Sequence, residues 1–192
     1  MEKSYPIEKS IRERRAVFPA MYNDEAISRA EVMAILENAR WAPTHRLTQP
    51  WRFVVFQGNA LNDLSKYLSA YYEENTPAEK YSEIKYKKTI KKPLQSACVL
   101  AIVLHRDPEE RVPEWEEIAS VSMAVQNIWL SCHERGIGAY WSSPAAALNA
   151  SSFLNLAENE KCLGLFYMGR KARDPMNPER KKIEDFVSFY AG

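Results

Sequence analysis

Ala42-Pro43-Thr44-His45-Arg46-Leu47-Thr48-Gln49-Pro50-Trp51-Arg52-Phe53-Val54-Val55 joins a helical pattern to a strand pattern through a polar centre kinked by two prolines. Upstream, Ser28 reads as an N-cap with Glu31 three residues on, the spacing of a capping box. Val32, Ile35, Leu36 and Ala39 then fall on one buried stripe, and Pro43 ends the helix. Downstream, Trp51 to Gln57 is aromatic and β-branched, and Gly58-Asn59 is its stop signal. The linking loop delivers His, Arg, Thr and Gln to one end of a buried strand, a suitable place to hold a polar, planar ligand.

The same alternation of helix and strand continues in both directions. Pro6 to Ala16 reads as a short helix with Ile7 and Ile11 on one face. Ala60 to Tyr72 predicts a helix with Leu61, Leu64 and Leu68 inward. Pro77 opens another, in which Lys85, Lys87, Lys88, Lys91 and Lys92 are interleaved with Tyr81, Ile84, Tyr86 and Ile90. Ala97 to Leu104 is an unbroken apolar run, the pattern of a central strand covered on both faces. Ile118 to Cys132 is apolar around nearly its whole circumference, which suits burial between a sheet and a second subunit. Gly136 ends it. Ile137 to Trp141 and Leu163 to Met168 are further strands, with Ser142-Ser143-Pro144 a turn between them. The tail is basic, with Arg170, Lys171 and Arg173 followed by Arg180-Lys181-Lys182. It closes on Phe186, Phe189 and Tyr190, aromatics that favour packing on the body or on a partner chain. No linker or repeat divides the chain, so residues 1–192 are expected to form one domain.

Composition narrows the function classes. The 192 residues carry 26 Lys and Arg against 25 Asp and Glu, a balance unlike that of a dedicated nucleic-acid binder. The apolar run Ala97 to Leu104 is too short to span a bilayer. The first residues show no secretory pattern. Cys98, Cys132 and Cys162 are odd in number and widely spaced, which reads as buried thiols in a reducing compartment. A cytoplasmic protein without membrane or nucleic-acid partners is expected.

Four groups of residues can carry chemistry. Arg12, Arg14 and Arg15 cluster after a helical turn, where guanidinium groups can grip a phosphate through paired charge-assisted hydrogen bonds; a solvated helix end is the plainer reading of these residues alone. In the loop, His45 and Gln49 can donate to ring nitrogens or hydroxyls and Trp41 can stack; an ordinary connection with core tryptophans explains them equally well. Gly136-Ile137-Gly138-Ala139-Tyr140-Trp141-Ser142-Ser143 lets backbone approach a flat ring, although G-x-G alone is no dinucleotide fingerprint. Arg170, Lys171 and Arg173 offer a second cationic source for one phosphate; a solvated loop is the plainer reading of these residues alone. The lysine-rich helix can attract a phosphorylated cosubstrate or be a plain exposed face. No hydrolytic motif is present.

Together these segments resemble the nitroreductase family. Arg14-Arg15-Ala16 is similar to its R-R-S signature, and Ala42 to Val55 is similar to its A-P-S-x-x-N-x-Q-P-W-x-F-x-V motif. Ala16 and Thr44 stand where the motifs have Ser, and Leu47 where many members have Asn. The resemblance implies an α+β, nitroreductase-like fold, a mixed, mostly antiparallel sheet surrounded by helices, in an intertwined homodimer whose C-terminal tail from about residue 174 packs on the partner. It implies FMN at the dimer interface and NAD(P)H as cosubstrate, with hydride passing to nitro compounds, quinones or similar small electron-poor acceptors. Arg14, Arg15 and Ala16 would hold the phosphate and ribityl chain. Trp41, His45 and Gln49 would belong to the loop presented to the flavin, partly from across the dimer. Tyr140, Trp141, Ser142 and Ser143 would lie beside the isoalloxazine, and Arg170 and Lys171 would complete the phosphate site. A flavin performs the hydride chemistry itself, so no side chain is expected to be strictly catalytic, and one site shared by donor and acceptor implies ping-pong kinetics. A flavin-binding reservoir or sensor without turnover is the alternative.

Overall fold

A computed structural model describes residues 5–190. Among them, four strands form one antiparallel sheet in the order β1-β2-β4-β3. The strands are β1 (Trp51–Phe56), β2 (Cys98–His105), β3 (Ile137–Ser142) and β4 (Glu160–Arg170). The expected mixture of directions reduces to one isolated parallel bridge, Ala16 to Ala139, at the β3 edge.

The apolar run places β2 in the sheet interior. Cys98 to Leu104 are all buried, because helices cover both faces. On one face α5 (Glu114–Glu134) lays Val121, Ala124, Val125, Ile128 and Cys132 against Leu100, Ile102 and Phe166. Also on that face is α2 (Arg29–Glu37), whose Val32 and Ile35 are buried. On the other face α3 (Ala60–Asn75) supplies Leu61, Leu64 and Leu68 against Val99, Ala101 and Tyr167. Each Val, Leu, Ile or Phe among them contributes about 1.5–3 kcal/mol by leaving water. Beyond α3 lies α4 (Glu83–Leu94). Two short helices, α6 (Ala145–Leu148) and α7 (Ser151–Leu154), connect β3 to β4.

Local sequence accounts for most boundaries. Ser28 caps α2, its hydroxyl accepting from the Glu31 amide while the Glu31 carboxylate accepts from the Ser28 amide at 3.1 Å. The helix ends at Glu37, and a 3-10 turn over Asn38–Trp41 carries the chain to Pro43. Pro77 opens only a 3-10 turn, Ala78–Lys80; α4 starts later, where the Ser82 hydroxyl accepts from the Lys85 amide.

Two differences from the sequence expectations matter for the site. The first helix, α1 (Pro6–Glu13), stops before Arg14. Residues 14–17 run extended instead, so Ala16 reaches β3 and the Val17 amide donates to the Ala139 carbonyl at 3.0 Å. The outer face of α5 is the second. Trp115, Ile118 and Met123 are exposed on one chain, so only the sheet side of this apolar helix is covered. Ile7 and Ile11 of α1 and the tail aromatics Phe186, Phe189 and Tyr190 are exposed as well.

Candidate functional site

The extended run after α1 builds a cationic cavity of about 480 Å³. Arg14, Arg15 and Lys171 line it with Trp129 and Asp174. Arg14 stacks its guanidinium 4.4 Å from the centre of the Trp129 ring. Arg15 donates from Nη1 to the Arg14 carbonyl at 3.0 Å. The Nε atoms of both arginines are buried without a hydrogen-bond partner, and among the described residues neither side chain forms an ion pair. Burial, then the nearby charges of Arg180 and Arg15, hold the pKa of Arg14 below its ordinary value. Two arginines crowded together without ion pairs of their own, with unpartnered donors, suit an anion, although the carboxylates of Glu13 and Asp174 also line the cavity. Lys171 is held by Asp174 at 2.9 Å.

Backbone geometry sets this cavity against β3. A Cβ at Gly138 would lie 2.8 Å from the Val17 side chain and 3.0 Å from that of Lys171. Only a residue without a side chain lets both elements close on the strand here.

Further along β3 the surface becomes aromatic. Tyr140 is buried, stacks on Tyr167 with ring centroids 5.1 Å apart, and packs against Phe18 at 4.8 Å. Its hydroxyl is buried and unpartnered. Trp141 donates its indole N–H to the Leu163 carbonyl at 3.1 Å. That carbonyl sits at a bulge, where the β2–β4 register shifts between Ile102 and Val103. Ser142 lines a second cavity, between α3 and α4, and Ser143 is exposed.

The Ala42–Trp51 loop lies elsewhere. Trp41 is 77% exposed. The His45 Nδ1 is 2.6 Å from the Glu116 carboxylate. Arg46, Leu47 and Gln49 have φ of 52°, 54° and 47°. Three non-glycine residues in the left-handed region within four positions store strain, which folds retain mostly at functional segments. Glu116 is in the first turn of α5 and Trp129 lies about 20 Å further along the same helix. One chain therefore gathers Arg14, Arg15, Ala16, Lys171 and the Tyr140–Ser142 strand, and holds His45 and Gln49 apart from them.

Arg170 also points away from the cationic cavity. Its guanidinium pairs with Glu31 at 2.6 Å and Glu25 at 3.3 Å, and donates to the Arg135 carbonyl at 3.1 Å. Alternation along the strand separates it from Lys171. Two contributors went unassigned in the sequence: Trp129, hidden among apolar helix residues, and Arg180, whose signal was the basic run Arg180-Lys181-Lys182. Among the described residues no cluster of His, Cys, Asp or Glu can hold a metal ion, and no helix is long and apolar enough to cross a membrane.

Comparison with known proteins bears on what such a site is for. The chain is 27% identical over 179 residues to the "Putative NAD(P)H nitroreductase YfhC" of Bacillus subtilis, covering 91% of this chain and 89% of that protein. A nitroreductase-like family protein from Bacillus cereus has a similar structure, with a TM-score of 0.82 at 22% identity over the full length of both chains. A putative nitroreductase from Desulfovibrio desulfuricans, solved in complex with FMN, has a TM-score of 0.75 at 23% identity, covering 98% of this chain and 99% of that one. A sequence model of the nitroreductase family matches residues 11–170, from the end of α1 to the end of β4 and including both Arg14-Arg15-Ala16 and the Gln49-Pro50-Trp51 loop. By that match, to which the four-stranded sheet and its covering helices conform, this chain belongs to the nitroreductase family.

Proposed function

We propose that this protein is an FMN-dependent oxidoreductase. In this reading it passes hydride from NADH or NADPH to small electron-poor acceptors such as nitro compounds and quinones. The observation that carries it is the pair of buried, unpartnered Nε donors on Arg14 and Arg15 in a cavity they share with Lys171. A terminal phosphate fits that donor set. The similar Desulfovibrio protein was solved in complex with FMN, and the similar Bacillus subtilis protein is named a putative NAD(P)H nitroreductase.

When bound, FMN supplies the ring that accepts and returns hydride. The chain's own residues hold and orient it. Arg14, Arg15 and Lys171, with Arg180 beside them, grip the phosphate. Ala16 keeps the wall small where residues 14–17 meet β3. Tyr140, Trp141, Ser142 and Ser143 form the surface beside the ring. Arg170 serves the fold, tying β4 to the capping box of α2.

The site is completed by a second copy of the chain. Ile7, Ile11, Trp41, Trp115, Ile118 and Met123 give one chain more exposed large apolar side chains than a monomer needs. In a homodimer, the strained loop with Trp41, His45 and Gln49 is delivered to the partner's flavin, and the tail from about residue 174 covers partner surface. Residues 1–192 act as one domain of this assembly. Three unpaired, buried thiols support a reducing, cytoplasmic setting.

Steady-state oxidation of NADH and NADPH by the FMN-loaded protein, with a nitroaromatic and a quinone as acceptors, tests the proposal. Turnover with parallel double-reciprocal lines is expected. Flavin retention with no turnover from either donor would reduce the function to flavin binding.

A further inference from the structure

The second cavity, about 470 Å³, is of a size that takes a small organic ligand. Its floor is apolar and aromatic, with Tyr167 and Ala146, and Tyr71 and Tyr72 of α3 stand on one side. Ser142 and Pro144 form the edge nearest β3, so the cavity opens beside the strand segment assigned above to the flavin. The opposite wall is different in kind. Lys85, Lys88 and Lys92 of α4 all line it. Their spacing of three and four residues puts them on one helical face. No Asp or Glu lines the cavity. Among the described residues none of the three lysines forms an ion pair, whereas Lys87, outside the lining, pairs with Glu83 at 3.2 Å. Lys92 is half-buried, with its ammonium 5.7 Å from the centre of the Tyr140 ring.

From this arrangement we infer that the α3–α4 cavity selects planar ligands carrying an anionic group. The ring lies on the tyrosine floor and a carboxylate or phosphate faces Lys88 and Lys92. The inference rests on the flavoenzyme reading above and deepens it. It makes the favoured reactant either an aromatic acid acceptor or a donor with an additional phosphate. The physical reason is that Lys92 is half-buried and Lys88, although exposed, lines the same carboxylate-free cavity, so among the described residues neither ammonium has a protein counter-charge there. An anion that replaces that water gains charge-assisted hydrogen bonds that a neutral analogue lacks.

Calorimetric titration of the FMN-loaded protein separates the two sources. One arm compares 4-nitrobenzoate with its methyl ester. The other compares adenosine 2′,5′-bisphosphate with AMP. At least one anion is expected to bind about tenfold or more tighter than its comparator, consistent with one or more charge-assisted hydrogen bonds. Lys88→Gln with Lys92→Gln should bring that ratio below about twofold. Lys88→Arg with Lys92→Arg should keep it, as should Lys87→Gln. Equal affinities in both arms on a protein that retains FMN would overturn the inference and leave the flavoenzyme reading standing. A ratio unchanged by the double Gln variant would overturn it as well. Failure to take up FMN at all would remove the flavoenzyme reading, and this inference with it.

Discussion

Arg14 sits over the face of Trp129, its guanidinium carbon 4.4 Å from the ring centre. The cation–π contact holds the guanidinium in place and leaves its Nε donor unpartnered, because attraction to a π-face consumes no donor. Trp129 itself is wedged edge-on against Phe166, with centroids 5.4 Å apart. The sheet core thereby orients the first arginine of the anion site.

Replacing Arg14 by Ala should therefore weaken FMN binding without unfolding the chain. Loss of a charge-assisted contact costs about 1.5–3 kcal/mol, or a 10- to 150-fold rise in Kd. Fluorescence titration with FMN measures this, and far-UV circular dichroism checks the fold. Native affinity in the variant would refute the placement.

Arg170, the last residue of β4, and Lys171, just beyond it, should behave oppositely. Lys171→Ala removes a cavity cation and should raise the FMN Kd about tenfold with little change in melting temperature. Arg170→Ala breaks the pairs with Glu31 and Glu25 and should lower stability by about 1–2 kcal/mol while FMN affinity holds within about twofold. A parallel thermal melt and FMN titration of the two variants decides the matter; swapped phenotypes would reverse the assignment.

Gly164 should resist substitution. Its φ is 138°, and a Cβ there would fall 2.4 Å from the Trp141 indole nitrogen and 2.6 Å from the Ser142 carbonyl. Gly164→Ala combines backbone strain with overpacking and should cost about 2–4 kcal/mol in urea unfolding. It also displaces the β3 end that lines the α3–α4 cavity, so a variant of native stability would show that this contact relaxes freely.

Acid stability should depend on Asp107. Hydrogen bonds from Arg111, at 2.7 and 3.0 Å, hold its carboxyl down to about 2. The folded value is below the ordinary one of about 3.9, so the stabilisation is present above that ordinary value and is lost as pH falls toward 2. Asp107→Asn should flatten the decline of stability between about pH 4 and 2 and lower stability at neutral pH. Equal slopes for both proteins by circular dichroism would contradict this.

Much of the fold was legible because local signals agreed with it. The Ser28–Glu31 box, the apolar run Ala97 to Leu104 and the Leu61, Leu64, Leu68 spacing each specify a short stretch whose burial follows directly. The path of residues 14–17 was not legible, since the extended conformation is set by tertiary pairing of Ala16 with Ala139 against a locally helical sequence. The roles of Arg170 and Lys171 could not be told apart until their partners were seen, Glu31 and Glu25 for one and the cationic cavity for the other. Trp129 was legible as a core residue only, because its second role depends on Arg14 arriving from far away in the chain. Left-handed backbone at Arg46, Leu47 and Gln49 left no mark in residue type, glycine being absent from that loop.

The most direct measurement is the visible absorbance spectrum of the purified protein after incubation with FMN and gel filtration, taken before and after anaerobic NADH or NADPH. Flavin bands that co-elute with the protein and bleach on adding a donor are the predicted result. Protein that emerges without flavin, even from excess FMN, would contradict the account at its centre.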